Sequence, residues 1–227
     1  AASGSPSMRA IRTCVDGLLL HLSDDQLMVL RSTVYPGTTE WLAQHLRRKG
    51  KRLRVAFCPE RIVQGFAVGE VQRLPQIVSG TTPQAEAAAA RLFARVAPEV
   101  IRLSPKEAEF AKLFSNAYRY IQFAATNQFY MIADTAGVDY HRVLEGMKRH
   151  YPRLADLPGP GLSAGPCLLK DTMQLATFAD NNFSIGHAAM LVNEGVVLHV
   201  LAALDRKYRG LAGKTVGLLG LAFKADC

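Results

Sequence analysis

At Ser104-Pro105-Lys106-Glu107 the hydrophobic pattern of this chain changes period, and the change limits what it can fold into. The four residues combine a capping box, in which a serine and a glutamate three positions on satisfy each other's backbone N–H, with proline at the first helical position. Upstream, short apolar runs at 27–30, 53–57, 76–79 and 100–103 read as strands. Helical periodicity lies between them at 39–49 and 83–96, and ahead of them through Ile11, Val15, Leu18, Leu19 and Leu22. Strands and helices alternating at this spacing predict a parallel α/β sheet. Downstream, the helix opened at Ser104 can run to Ala136, where Gly137 offers a stop. Its expected buried stripe is Ala111, Phe114, Ala117, Tyr118, Ile121, Ala125, Phe129 and Ile132. A second long helix, 185–208, carries Met190, Val192, Val196, Val197, Val200 and Leu201. Helices of this length carry more apolar surface than one small sheet can cover, so they are expected to pack on each other and form a homodimer interface.

The two ends read differently. Residues 1–8 have the small, breaker-rich composition of a linker. Residues 214–224 read as a strand entering a glycine turn, the opening of a second βα unit. No G-x-G-x-x-G and no opening strand precede the first helix, so the chain is expected to be a fragment. The fold class expected is α/β, a partial Rossmann-like parallel sheet over 9–103 followed by an all-helical central domain over 104–210. The first strand of a truncated further domain would occupy 211–227.

Composition excludes some functions. No run approaches the roughly 18 apolar residues of a membrane span, and no signal-peptide layout opens the chain, so a soluble cytoplasmic protein without membrane association is expected. Four cysteines, at 14, 58, 167 and 227, have no metal-ligand spacing. The net charge of +8 draws on Arg47, Arg48, Lys49, Lys51, Arg52 and Arg54. These suit the C-terminal end of the 39–49 helix and its solvated turn, and no aromatic stacking motif accompanies them, so no nucleic-acid partner is expected.

Chemistry concentrates in Gly159-Pro160-Gly161-Leu162-Ser163-Ala164-Gly165-Pro166-Cys167-Leu168-Leu169-Lys170-Asp171. Small residues there let backbone approach a ligand, and a thiol at a helix N-terminus sits where the dipole favours thiolate. Cys167 therefore reads as a nucleophile, or else as a small residue buried at a loop-helix junction. Lys112 and Asn116 lie one turn apart on the long helix. They could both donate to one oxyanion, or form a polar face in which Glu109 pairs with Lys112. Glu60 and Thr33 follow strand ends, where open α/β sheets place ligand contacts. Glu60 could equally be an exposed turn acid, and Thr38 or Thr39 could simply cap the following helix.

In order and spacing these residues resemble the nucleotide-sugar dehydrogenases of the UDP-glucose and GDP-mannose dehydrogenase group. The resemblance spans 9–224. It rests on Ser32-Thr33-Val34, Pro36-Gly37-Thr38-Thr39, Pro59-Glu60, Lys112 with Asn116, the Cys167-x-x-Lys170-Asp171 loop, and Gly220-x-Ala222-Phe223-Lys224. It implies NAD as cofactor and a nucleotide sugar as substrate, oxidised at C6 in two steps through a cysteine thiohemiacetal and thioester. Cys167 would then be the nucleophile, and Lys112 and Asn116 would stabilise oxyanions. Asp171 and Thr33 would hold water and assist proton transfer, and Glu60 would serve thioester hydrolysis. Lys170 and Thr33 would touch the cofactor. Gly161, Phe223 and Lys224, with Glu60, Lys112 and Asn116, would touch the sugar nucleotide. Without the glycine fingerprint and the further domain, the chain alone is expected to be inactive. A β-hydroxyacid dehydrogenase, which needs no cysteine, and a non-catalytic dimerising helical module remain alternatives.

Overall fold

The computed structural model describes residues 8–62, 65–163 and 166–219. They form helices α1 (Met8–Leu18), α2 (Thr38–Arg48), α3 (Ala67–Val71), α4 (Pro83–Phe93), α5 (Pro105–Thr135), α6 (Tyr140–Lys148), α7 (Pro166–Phe178) and α8 (Ser184–Tyr208). The strands are β1 (Leu27–Leu30), β2 (Arg54–Phe57), β3 (Gln76–Gly80) and β4 (Val100–Arg102). Two compact units share α5, the first ending at Ser115 and the second starting at Asn116.

The first unit is a four-stranded sheet in the order β1-β2-β3-β4. The pairs β1/β2 and β3/β4 are parallel, as expected, but β2 and β3 run antiparallel, so the sheet is mixed. Strand direction is set by how the chain returns between strands, and the alternation of apolar runs alone does not record it. The alanine-rich α4 lies on the sheet through Ala89 and Ala90 against Ala56, Cys58 and Val78. Thr82 caps it by accepting from the Ala85 N–H (3.1 Å), and Pro83 occupies its first position. Three of the cluster of cations fasten the turn before β1. Lys51 Nζ donates to the Leu22 carbonyl (2.5 Å), the Arg52 N–H to Asp24 Oδ1 (2.7 Å), and Arg54 to the Asp25 carbonyl.

The capping box forms as the sequence predicts. The Ser104 N–H donates to Glu107 Oε2 (2.7 Å) and the Glu107 N–H to Ser104 Oγ (3.4 Å), which holds the Glu107 carboxyl below its ordinary pKa. The expected buried face of α5 is corrected, however. Phe114, Tyr118, Phe129 and Ile132 are 53%, 62%, 45% and 60% exposed, and the buried positions include Ala108, Glu109, Leu113, Asn116, Ala117, Tyr120, Ala124, Thr126 and Asn127. Of the expected stripe Ala117 is buried; the inner face is rotated from the rest of it, joining Leu113 and Tyr120 to small residues that permit close packing and to polar ones that find partners. In α8 likewise Gly186, Ala189, Asn193 and Val196 are buried, while Val197, Val200 and Leu201 are exposed. Although no unbroken apolar run exists, α8 is long and apolar enough by length and composition to cross a membrane, with 17% of that window buried.

Smaller differences lie at the ends. Met8 belongs to α1 rather than to a leading linker, and α6 was not expected. Residues 214–219, expected as the body of a strand, have no regular structure, and no strand pairs with them among the described residues.

Cys58 is buried in the sheet, and burial pushes its thiol up to about 11, against smaller opposing pulls from the Ser79 peptide and the Arg31 guanidinium. A thiol held neutral in the fold and ionised sooner in the unfolded chain stabilises fully below pH 9 and loses that contribution as pH rises through 11. Urea unfolding is therefore expected to show about 2 kcal/mol less stability at pH 10.5 than at pH 8.5 from this group, a difference absent in Cys58→Ala.

Candidate active site

In the second unit the site is built on α7. Leu168 packs with Tyr120, Ala124 and Ala189, and Asp171, Thr172 and Leu175 continue the same buried stripe at helical spacing. That register turns Cys167 and Lys170 outward: Cys167 is exposed at the second helical position, and the Lys170 side chain is 60% exposed. The alternative of a buried junction cysteine is thereby excluded. Asp171 is fully buried and accepts from Asn116 Nδ2 at 2.6 Å, with Lys170 Nζ 3.4 Å from its other oxygen. An amide has two N–H donors, so this bond commits one of Asn116's and leaves the second for a ligand oxygen.

The glycine-rich approach to α7 is held by residues that sequence reasoning missed. Asn127 receives the Gly161 N–H on Oδ1 (2.8 Å) and donates Nδ2 to the Gly161 carbonyl (2.9 Å) and to Asn193 Oδ1 (2.9 Å). Thr126 Oγ1 donates to the Pro158 carbonyl (3.1 Å). The available signal was a pair of amides inside two apolar helices, where an unpaired amide would be costly. Gly161 has φ +153, and a Cβ built on it would meet nothing within 4 Å.

In the first unit Thr33 and Glu60 lie in the loops leaving β1 and β2, whose carboxyl ends are adjacent because the strands are parallel. The ladder continues past the strands, from the Cys58 N–H to the Leu30 carbonyl (2.9 Å) and from the Glu60 N–H to the Arg31 carbonyl (3.1 Å). The Glu60 carboxylate is ion-paired with Arg31 and accepts the Ile62 N–H (2.9 Å), so it is a tethered group rather than a loose turn acid. Arg31 also donates to Gln76 Oε1 (2.9 Å) and stacks on Phe93.

Glu109, one turn before Lys112 and Leu113 on α5, is almost wholly buried. Its carboxylate accepts from the Gly37 N–H (2.6 Å), the Thr39 N–H (2.8 Å) and Thr39 Oγ1 (2.6 Å). Gly37, at φ +90, starts α2 with no side-chain cap, so Glu109 caps the helix from 70 residues away in sequence. The expectation of a threonine cap is thus corrected: Thr39 donates to Glu109, and Thr38 Oγ1 donates to the Tyr35 carbonyl (2.5 Å). Lys112 is half-buried. Phe223 and Lys224 lie outside the described residues, and no metal-holding cluster exists among the described ones.

Residues 1–97 match the family model described as UDP-glucose/GDP-mannose dehydrogenase family, NAD binding domain, and residues 106–195 match that of the family's central domain. An NDP-N-acetyl-D-galactosaminuronic acid dehydrogenase of Ralstonia solanacearum is 30% identical over 235 residues, 97% of this chain and 55% of the relative. Among solved structures, a UDP-glucose dehydrogenase from Pyrobaculum islandicum superposes with a TM-score of 0.84 at 26% identity, over 98% of this chain and 54% of that one. A UDP-D-ManNAc dehydrogenase from Pyrococcus horikoshii gives 0.83 at 25%, over 93% and 52%. The chain spans about half the length of the curated relatives it matches.

Proposed function

This chain belongs to the UDP-glucose/GDP-mannose dehydrogenase family, and on that premise we propose that it carries the cysteine centre of an NAD-dependent, four-electron oxidation of a nucleotide sugar at C6. The observation that carries the reading is α7, with an exposed Cys167 at its start and, one turn on, a buried Asp171 bonded to Asn116. NAD, when bound, takes up the hydride of each oxidation. The residues of this chain fit one part of it. The N–H groups at the start of α2, a natural phosphate seat, are already occupied by Glu109, whereas the loop bearing Thr33 at the carboxyl end of β1 is where such sheets receive ligands. Thr33 and Lys170 would hold that part of the cofactor.

The Cys167 thiolate adds to the C6 aldehyde, which turns a diffusible and reactive species into a covalent thiohemiacetal. Oxidation of that adduct leaves a thioester, and water cleaves it to release the carboxylate and restore the thiol. Asn116, through its uncommitted N–H, and Lys112 donate to the oxygen that becomes negative, each such donor being worth about 3–4 kcal/mol. Asp171 and Thr33 hold water and move the proton, and Glu60 serves the hydrolytic step. Gly161, Phe223 and Lys224 contact the substrate, which is a UDP-glucose-type or N-acetylated nucleotide sugar. The relatives' names and the Cys58-Pro59-Glu60-Arg61 stretch favour the N-acetylated class. A cytoplasmic homodimer completes the reading, supported by the exposed stripes of α5 and α8.

Iodoacetamide labelling with peptide mapping tests this reading. Cys167 is expected to react while Cys58 stays unmodified, and NAD with UDP-glucose or UDP-N-acetylmannosamine is expected to slow the reaction at Cys167. A Cys167 as inert as Cys58, or one that none of these ligands protects, overturns the covalent reading. Sedimentation of the same samples as monomers at all concentrations would remove the homodimer.

A further inference from the structure

The polar chain inside the second unit assigns a task to two asparagines. Tyr120 lends its carbonyl to Asn193 Nδ2 (3.1 Å), Asn193 Oδ1 receives Asn127 Nδ2 (2.9 Å), and Asn127 brackets the Gly161 peptide from both sides (2.8 and 2.9 Å). Both amides are buried, at 0% and 3% exposure. Exchanging the oxygen and nitrogen of Asn127 would set N–H against N–H and oxygen against oxygen at Gly161, and would face the Asn193 oxygen with another oxygen. Only one orientation satisfies every partner, and a buried amide left unpaired is costly. Each link of the chain fixes the next.

We propose that Asn127, oriented by Asn193, is the positioning residue that sets the Gly161 peptide and thereby the approach to Cys167, six residues further along. The proposal builds on the reading of Cys167 as the reacting group. It also changes the part played by Gly161. Its N–H is spent on Asn127, so it does not donate to a sugar. What Gly161 offers a ligand is the open space over its Cα, where a Cβ would meet nothing within 4 Å. Its φ of +153 is a conformation that L side chains rarely adopt, which is why a bracket on both sides of the peptide is useful there. Thr126 ties the loop three residues earlier through a single bond and has no part in fixing the Gly161 peptide.

The test compares Asn127→Leu, Asn193→Leu and Thr126→Val in the unliganded chain, by hydrogen exchange of peptides covering 157–163 and by the alkylation rate of Cys167. Removing the bracket is expected to speed loop exchange by about tenfold or more in Asn127→Leu, the equivalent of about one lost hydrogen bond, with β2 and β3 peptides unchanged. Asn193→Leu, which leaves Asn127 in place but unoriented, is expected to give about threefold, and it carries the test if Asn127→Leu fails to fold. Cys167 alkylation is expected to change at least about threefold in Asn127→Leu and to stay near wild type in Thr126→Val. Loop exchange that rises no more than the rest of the second unit, an unchanged Cys167 rate, or an equal effect from Thr126→Val overturns the proposal. Both readouts are taken without NAD or sugar. Failure of the sugar to protect Cys167 in the wild-type chain therefore overturns the dehydrogenase reading and leaves the bracket standing.

Discussion

Glu109→Leu is expected to destabilise the first unit by about 3–5 kcal/mol, the range for removing one partner of a buried, charge-assisted network. The carboxylate accepts three donors at 2.6–2.8 Å, and two of them are the backbone N–H groups that open α2. A helix end needs acceptors for its first N–H groups, and Gly37 has no side chain to supply one. Leucine would leave the buried Thr39 donors unsatisfied and take the acceptor from the half-buried Gly37 N–H. Glu109→Gln keeps one oxygen but turns an amide N–H₂ toward one of those donors, so an intermediate loss of about 1–3 kcal/mol is expected. Urea unfolding followed by circular dichroism measures both. A leucine variant within 1 kcal/mol of wild type would show that water replaces the carboxylate without penalty.

Asn116→Asp is expected to destabilise the second unit strongly at neutral pH and to recover at low pH. Asn116 Nδ2 and Asp171 Oδ2 are 2.6 Å apart, with the two residues 6% and 0% exposed. A second carboxylate in that place replaces a donor with a like charge, and two carboxylates so close cannot both ionise cheaply. In the variant one carboxyl of the pair has a raised folded-state pKa, so its contribution is present below the unfolded value near 4 and is lost as pH rises through the raised one. Unfolding at pH 5 and pH 8 is expected to differ by about 1–3 kcal/mol more in the variant than in wild type, the part of a shift of roughly two to three units that falls above pH 5. Equal pH dependence in the two proteins would mean that the site opens to water or rearranges at no cost. The same pair bears on chemistry, because in wild type it fixes the Asn116 amide and thereby the direction of its second N–H.

What the sequence disclosed of the fold followed from signals that act within a few residues. The Ser104–Glu107 box and Gly137 mark helix ends because each satisfies or terminates a local backbone pattern. The β1 run, Leu27–Leu30, coincides with its apolar residues for the same reason. Site residues were legible as identities and spacings. Cys167, Lys170 and Asp171 lie on one helix, and their register alone separates the two exposed from the one buried once Leu168 is known to face inward. Glu60 was legible as a residue past a strand end, but its Arg31 partner was not.

Sequence by itself determined where the four sheet strands and the long helices fall, which family pattern they follow and which residues could carry the chemistry, since hydrophobic period, capping and motif spacing are all short-range. Tertiary structure alone decided that β2 and β3 run antiparallel and that the face of α5 bearing Glu109, Leu113, Asn116, Tyr120 and Asn127 lies inside. It also decided that α2 is capped by Glu109, and that Asn127 and Asn193 hold the glycine loop. Each of these outcomes is a contact between residues far apart in the chain. Whether a buried carboxylate or amide is a liability or an anchor depends on donors and acceptors that only the folded chain brings within hydrogen-bond reach.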